Sequence, residues 1–288
     1  MQLTRQPAAH LQPFVRLLWA SAPEGSRVAR PGAREHVLPT GGMHLVFRLS
    51  GPPLKLFAGA NDPQGETHGY AIVGGARSAF YMRDVSVATR SVGAQLEPGA
   101  ARLLLGAPED ALAGRHTALD ALWGAQPTAD ALAQIHAAYS AERQLAVFEA
   151  LLTGRIVASL NAGMRGLHPA IAQALGPIAR GSGSIAELVE RSGYSHRRFI
   201  ALFRGAIGLT PKEYARVMRF DRALALAAGS VQGWADVASA AGYSDQAHLS
   251  REFSALAGMP PQAWRRTGAA SPRHVPASTA AGQIRSRR

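Results

Sequence analysis

The same pattern of residues is written twice toward the end of this chain, and nothing else in the sequence restricts the fold as tightly. The first copy reads Ser184-Ile-Ala-Glu-Leu-Val-Glu-Arg-Ser-Gly193-Tyr-Ser195, continues through Phe199 and Phe203, and closes on Gly208-Leu-Thr-Pro211 and Tyr214. The second reads Trp234-Ala-Asp-Val-Ala-Ser-Ala-Ala-Gly242-Tyr-Ser244, continues through Leu249 and Phe253, and closes on Gly258-Met-Pro-Pro261 and Trp264. Gly193/Gly242 and Tyr194/Tyr243 are 49 residues apart, whereas Phe203/Phe253, Gly208/Gly258, Pro211/Pro261 and Tyr214/Trp264 are 50 apart. One residue has therefore entered the second copy, inside its last helix or at its start.

Each copy reads as two helices about a glycine turn. In the first, Ser184 and Glu187 have the spacing of a capping box. Ile185, Leu188 and Val189 supply an apolar face, and Gly193 falls where a helix end favours positive φ. Ser195 caps a second helix with Phe199, Leu202 and Phe203 inward. Arg197, Arg198, Ile200, Ala201 and Arg204 lie toward the other side. The second copy buries Val237, Leu249 and Phe253 and presents Gln246, His248, Ser250 and Arg251. Such a unit is a helix-turn-helix, whose second helix can enter the major groove of DNA. A solenoid needs about three or more units repeating near 34 residues, so two units at this longer period fit it poorly. Between the copies, Pro211 opens a helix and Lys212–Ala228 continues it for about 25 Å. That approaches the ~34 Å pitch separating successive major-groove faces.

Charge points the same way. The chain has 31 Lys+Arg against 19 Asp+Glu, a net charge of +12. Residues 1–165 hold 15 basic and 12 acidic side chains, whereas residues 166–288 hold 16 and 7. An Arg-rich composition, with Lys55 and Lys212 as the only lysines, explains the choice of Arg over Lys. It does not explain the asymmetry, which predicts a polyanionic partner for the second half.

Residues 168–267 resemble the DNA-binding domain of AraC/XylS-type bacterial transcription regulators. The resemblance rests on Gly193-Tyr-Ser, Phe203, Gly208-x-x-Pro211-x-x-Tyr214, Arg219-Phe-Asp-Arg-Ala223, Gly242-Tyr-Ser, Phe253 and Gly258-x-x-Pro261. It implies double-stranded promoter DNA and RNA polymerase as partners, with an N-terminal sensor or dimerisation domain, hence a small-molecule effector or a homodimer. The segment from Glu35 to Phe47 also resembles a poorly characterised β-rich domain attached to some of these regulators. Family base-reading positions fall on Arg197, Ile200 and Ala201 in the first copy. Ile200 and Ala201 cannot hydrogen-bond a base edge, so direct readout there rests on Arg197. In the second copy Gln246, His248, Ser250 and Arg251 take that role, with Arg251 suited to guanine. Arg198, Arg204, Lys212, Arg265 and Arg266 are expected at phosphates, where they set affinity without reading sequence.

The rest of the chain predicts an α+β protein: a β-rich partial barrel with a helical hairpin, followed by an all-α domain of two helix-turn-helix units on a linker helix. Strand-like stretches cover 14–19, 43–49, 54–57, 71–73, 79–82 and 85–96, punctuated by Gly and Pro. Short helices are expected at 100–105 and 117–123. A helical hairpin follows over about 128–153, with Thr128 and Ser140 as caps and Gly154 near its end. These make a domain over 1–160, a connection at 161–167, the domain over 168–267, and a disordered basic tail over 268–288. Trp19, Phe47, Phe57, Tyr70, Phe80 and Tyr81 could wall a ligand pocket, although such residues more often fill a core. His36 and His44 lack the spacing of a metal pair, so no metal or other cofactor is expected.

No nucleophile elbow, phosphate-binding Gly-x-x-x-x-Gly-Lys or His-Glu-x-x-His occurs, and there is no cysteine. Thiol redox chemistry and alkyl transfer to cysteine are thereby excluded, and no catalytic residue is expected. No stretch approaches the ~18 apolar residues of a membrane span, and no export signal is evident, so a cytoplasmic protein without a membrane partner is expected. Two readings compete with the regulator: a small-molecule-converting enzyme domain tethered to DNA, and a non-specific architectural DNA binder.

Overall fold

The structure is a computed structural model that describes residues 2–21, 31–229, 233–269 and 271–277. Its first half is built from strands β1 (Gln2–Arg5), β2 (Val15–Ser21), β3 (Arg34–Val37), β4 (His44–Arg48), β5 (Lys55–Phe57), β6 (Glu66–Thr67), β7 (Ala71–Gly74), β8 (Tyr81–Asp84) and β9 (Ser91–Leu96). Helices α1 (Ala101–Leu105) and α2 (Glu109–Leu112), strand β10 (His116–Ala118), and helices α3 (Asp120–Trp123), α4 (Ala125–Ala137) and α5 (Ala141–Asn161) complete it. The second half is helical: α6 (Pro169–Arg180), α7 (Ile185–Ser192), α8 (His196–Ile207), α9 (Pro211–Gly229), α10 (Trp234–Ala241), α11 (Gln246–Ala257) and α12 (Pro261–Arg266), then strand β11 (His274–Pro276).

The strands form two antiparallel sheets rather than a barrel. One has the order β1-β2-β9-β4-β7-β10 and the other β11-β3-β8-β5-β6. Alternation along β4 explains how the first sheet is used. Leu45 and Phe47 point to one face, where Phe47 meets the Phe148 ring of α5 edge-on at 5.6 Å. His44 and Val46 point to the other. One hydrophobic core continues from that helix-backed face through α5 and α6 into both helical repeats.

Several boundaries move. The expected helix at 117–123 divides into β10 and α3, because Thr117 pairs with Val73 at the sheet edge. The stretch 85–96 is strand only from Ser91, since Asp84 and Ser86 close a side-chain turn. Thr128 is buried inside α4, which begins at Ala125 after Gly124; Ser140 does cap α5, accepting from Arg143 N. Gly154 does not stop α5, which runs to Asn161. Tyr139, two residues past the end of α4, is 96% exposed.

The larger correction concerns the tail. Residues 271–277 are ordered, and β11 adds to the edge of the second sheet, with Val275 opposite His36. Burial explains the pairing: Val275 is fully covered, and Trp264 donates from Nε1 to Pro272 O at 3.0 Å. Arg273 adds an ion pair to Asp221 of α9 and donates to Pro39 O at 2.7 Å. The composition of this segment hid one buried apolar residue, Val275, next to two hydrogen-bonding ones, Arg273 and His274. Positions 278–288 lie outside the described residues.

Candidate nucleic-acid interface

Helices α7 and α8 form one hairpin and α10 and α11 its repeat. Ser184 and Glu187 make the reciprocal capping box, and Gly193 closes α7 at φ 70°. Ser195 caps α8 by accepting from Arg198 N at 3.3 Å. In the repeat the cap is Asp245, which accepts from His248 N at 2.6 Å, rather than the serine of Gly-Tyr-Ser. The additional residue thus lies at the helix start, in the turn. Helices α8 and α11 each span 12 residues. They therefore align at an interval of 50, and Phe199 and Phe203 bury the same face as Leu249 and Phe253.

Helix α9 joins the hairpins as 19 unbroken residues, about 28 Å at 1.5 Å per residue. Its inner face carries Tyr214, Val217, Phe220, Ala223 and Leu224. Arg222 ties α6 to the second hairpin, donating to Ala179 O at the end of α6 and to Ala241 O at the end of α10. A cation at two helix C-termini offsets the unpaired carbonyls there.

The residues singled out from the sequence fall into distinct settings. Arg197, Arg198, Ala201 and Arg204 are exposed on α8, as are Gln246 and Arg251 on α11, and Lys212 and Arg266 are exposed as well. Ile200 is half-buried and packs on the core, which turns it partly away from the exposed face. Ser250 is half-buried. His248 is held by its own turn: Nδ1 lies 3.1 Å from Ser244 Oγ, and the ring meets Tyr243 edge-on at 5.2 Å. Arg265 stacks its guanidinium on Trp234 at 4.2 Å with Nε and Nη2 shielded from solvent. Its charge thus supports α10 against α12. Tyr194 and Tyr243, equivalent in sequence, differ in setting: Tyr194 is 37% exposed and Tyr243 5%. Burial and the nearby Glu252 push the Tyr243 hydroxyl well above the usual phenol range, a direction that keeps it protonated.

Sequence reasoning missed the opposite ends of these helices. The last turn of α8 accepts a hydrogen bond at Ala206 O from Gly99 N, 2.9 Å away. The last turn of α11 accepts at Ala257 O from His36 Nδ1, 3.0 Å away. Both donors belong to the strand-rich half. The C-cap glycines are gripped as well. A side chain at Gly208 would come within 3.1 Å of Glu109 O and 3.2 Å of Ala76 Cβ, and one at Gly258 would lie 2.3 Å from the Phe80 ring. Their φ values, 81° and 71°, already favour glycine. Both helices therefore end on the strand-rich half and present their first turns away from it. The repeated Gly208/Gly258 spacing was the available signal, although it says nothing of a partner.

His36, stacked on Phe80 at 4.8 Å, is committed to this contact and not to His44. The aromatic residues proposed for a pocket separate too: Phe47 is in the core, Tyr70 is exposed and Phe80 faces Gly258. Among the described residues no group of three His, Cys, Asp or Glu side chains is arranged to hold a metal ion. No described helix is long and apolar enough to cross a membrane.

A helix-turn-helix domain family matches residues 188–267, the segment just described. Residues 188–267 are an AraC-type helix-turn-helix domain. Residues 3–118 match a second family, described as a domain of unknown function (DUF6597). The chain is similar to YkgA, an HTH-type protein of Escherichia coli (strain K12), with 34% identity over 82 residues, 28% of this chain and 34% of YkgA. It is also similar to LumQ, a probable transcriptional regulator of Photobacterium leiognathi, with 36% identity over 78 residues, 27% of this chain and 32% of LumQ. The chain thus spans about a third of the length of the curated relatives it matches. Among solved structures it is similar to the C-terminal domain of AraT, a response regulator from Geobacillus stearothermophilus. There the identity is 20% and the TM-score 0.33, over 35% of this chain and 87% of that one. It is similar also to ToxT from Vibrio cholerae, at 10% identity and TM-score 0.45 over 92% and 98% of the two chains.

Proposed function

We propose that this AraC-type protein is a sequence-specific regulator of transcription that grips promoter DNA through two successive major grooves. The observation that carries the reading is mechanical. Two equivalent helices stand on one unbroken linker, and each is held by its last turn against the same strand-rich body. The free first turns, with Arg197 on α8 and Gln246 on α11, then meet the duplex, and Arg251 one turn further on reads a base edge. Arg198, Arg204, Lys212 and Arg266 neutralise phosphates and set the salt dependence. Ile200 and Ala201 supply at most apolar contact to a thymine methyl.

In this reading the strand-rich half senses a small molecule or dimerises, and the bound protein acts through RNA polymerase. Its grip on both recognition helices supports sensing, because a shift in that body moves the two together. The outer face of α5, where Val157 and Leu160 are about half exposed, is the surface offered for dimerisation.

A gel shift comparing promoter with random DNA at one salt concentration tests the reading. Specific readout is expected to gain ~10³-fold or more. Affinities within about tenfold of each other would replace the regulator by an architectural binder.

A further inference from the structure

We propose that the space between the two sheets, around Arg77 and His116, is a binding site for a small oxyanion, a carboxylate or a phosphate group. The proposal rests on the sensing role given above to the strand-rich half and supplies its ligand class.

The register builds the site. His44, Gly74 and His116 lie in one row across β4, β7 and β10. Strands two places apart are separated by roughly 9.6 Å, yet the two imidazole centroids approach to 6.1 Å. They do so over Gly74, where a side-chain carbon would lie 2.2 Å from the His44 ring. Tyr81 closes on His116 from the second sheet at 4.6 Å, and His68 approaches at 5.6 Å. All four, with Arg77, lie deep between the sheets and still keep part of their surface open to water.

The charge in this space is unbalanced. The Arg77 guanidinium is largely desolvated and has no carboxylate within ion-pair distance among the described residues. It donates from Nη2 to His116 Nδ1 at 3.0 Å and lies over the Tyr81 ring at 4.4 Å. Because Nδ1 accepts that bond, the proton of the neutral imidazole must sit on Nε2. His116 Nε2 is buried and has no partner. Burial and the adjacent Arg77 hold His44, at about 3, and His116 in their neutral forms at physiological pH. A cation beside an unsatisfied N–H donor calls for an oxygen ligand bearing negative charge. A protonated Nε2 is also the wrong form to ligate a metal.

The site is wired to the DNA-binding half. Arg77 sits in the β7–β8 connection, one residue after Ala76, which touches the α8 cap at Gly208. Three residues further, Phe80 touches the α11 cap at Gly258. An anion that draws Arg77 inward therefore pulls on both contacts at once.

Calorimetric titration of the full chain with inorganic phosphate and, separately, with benzoate decides the matter and distinguishes the two sources of oxyanion. One of them is expected to bind once per chain. Arg77→Gln and His116→Phe should each weaken that binding about tenfold or more, with unchanged circular dichroism. If either variant misfolds, the imidazole NMR signal of His116 Nε2 in the unmodified protein must still move on titration. Hydrogen exchange at Gly208 and Gly258 should slow when the anion is bound. Absence of binding by both anions at millimolar concentration, or binding that survives both substitutions, overturns the site; unchanged exchange overturns its coupling to the helices. Loss of promoter discrimination with anion binding intact would count against the regulator reading instead.

Discussion

Gly193 and Gly258 separate two reasons for having no side chain. Both are left-handed, at φ 70° and 71°. A Cβ at Gly193 would meet nothing within 4 Å, whereas one at Gly258 would enter the Phe80 ring. Gly193→Ala is expected to cost about 1 kcal/mol, the backbone term alone. Gly258→Ala should cost more than twice as much in urea denaturation, because Phe80 must also move. On DNA, Arg251→Ala should relax discrimination at one base position at a cost of ~1–3 kcal/mol. Arg204→Ala should weaken binding evenly on all sequences and reduce the salt slope by about one. A uniform loss with Arg251→Ala would place that side chain on phosphate.

The elements show where titration matters. Glu109 begins α2, which packs against α8, and its carboxylate accepts from Ala101 N at 3.0 Å. Burial raises its pKa from 4.5 to about 7. The folded state therefore binds this proton more tightly than the unfolded chain. The resulting stabilisation is full below about pH 4.5 and is lost as pH rises through 7. Stability measured from pH 4.5 to 7.5 should fall by about 2–3 kcal/mol, a loss that Glu109→Gln removes. Glu35 has the opposite sign. Burial opposes its ionisation, but His274 and Arg83 outweigh that and hold it at about 2. Its contribution is lost only as pH falls from 4.5 through 2. The helices were legible because caps and apolar spacing are local: Ser184, Glu187, Ser195 and Gly193 act within one turn. The strand-rich half was legible only as a class. Pairings such as His44 with Gly74, or Val275 with His36, are set by distant segments and leave no periodic trace. Exposed arginines could be named as a group, but not that Arg265 would stack on Trp234.

At the scale of the molecule, the chain crosses between its halves more than once. The helical half follows the sheets, and β11 then returns to pair with β3. Val275→Asp should disrupt that return and lower the melting temperature by several degrees, since burying an unpaired charge costs several kcal/mol. Calorimetry should also show one cooperative transition splitting into two, because Arg273 no longer ties α9 to Pro39. The closing strand also sets a limit on engineering. A chimera that exchanges the reading cassette of this protein for a foreign one, cut after α12, would strip β3 of its neighbour and leave a raw backbone edge open to other chains. Grafts should therefore carry residues 271–277 along with the recipient body, and those made without them should be recovered as aggregates.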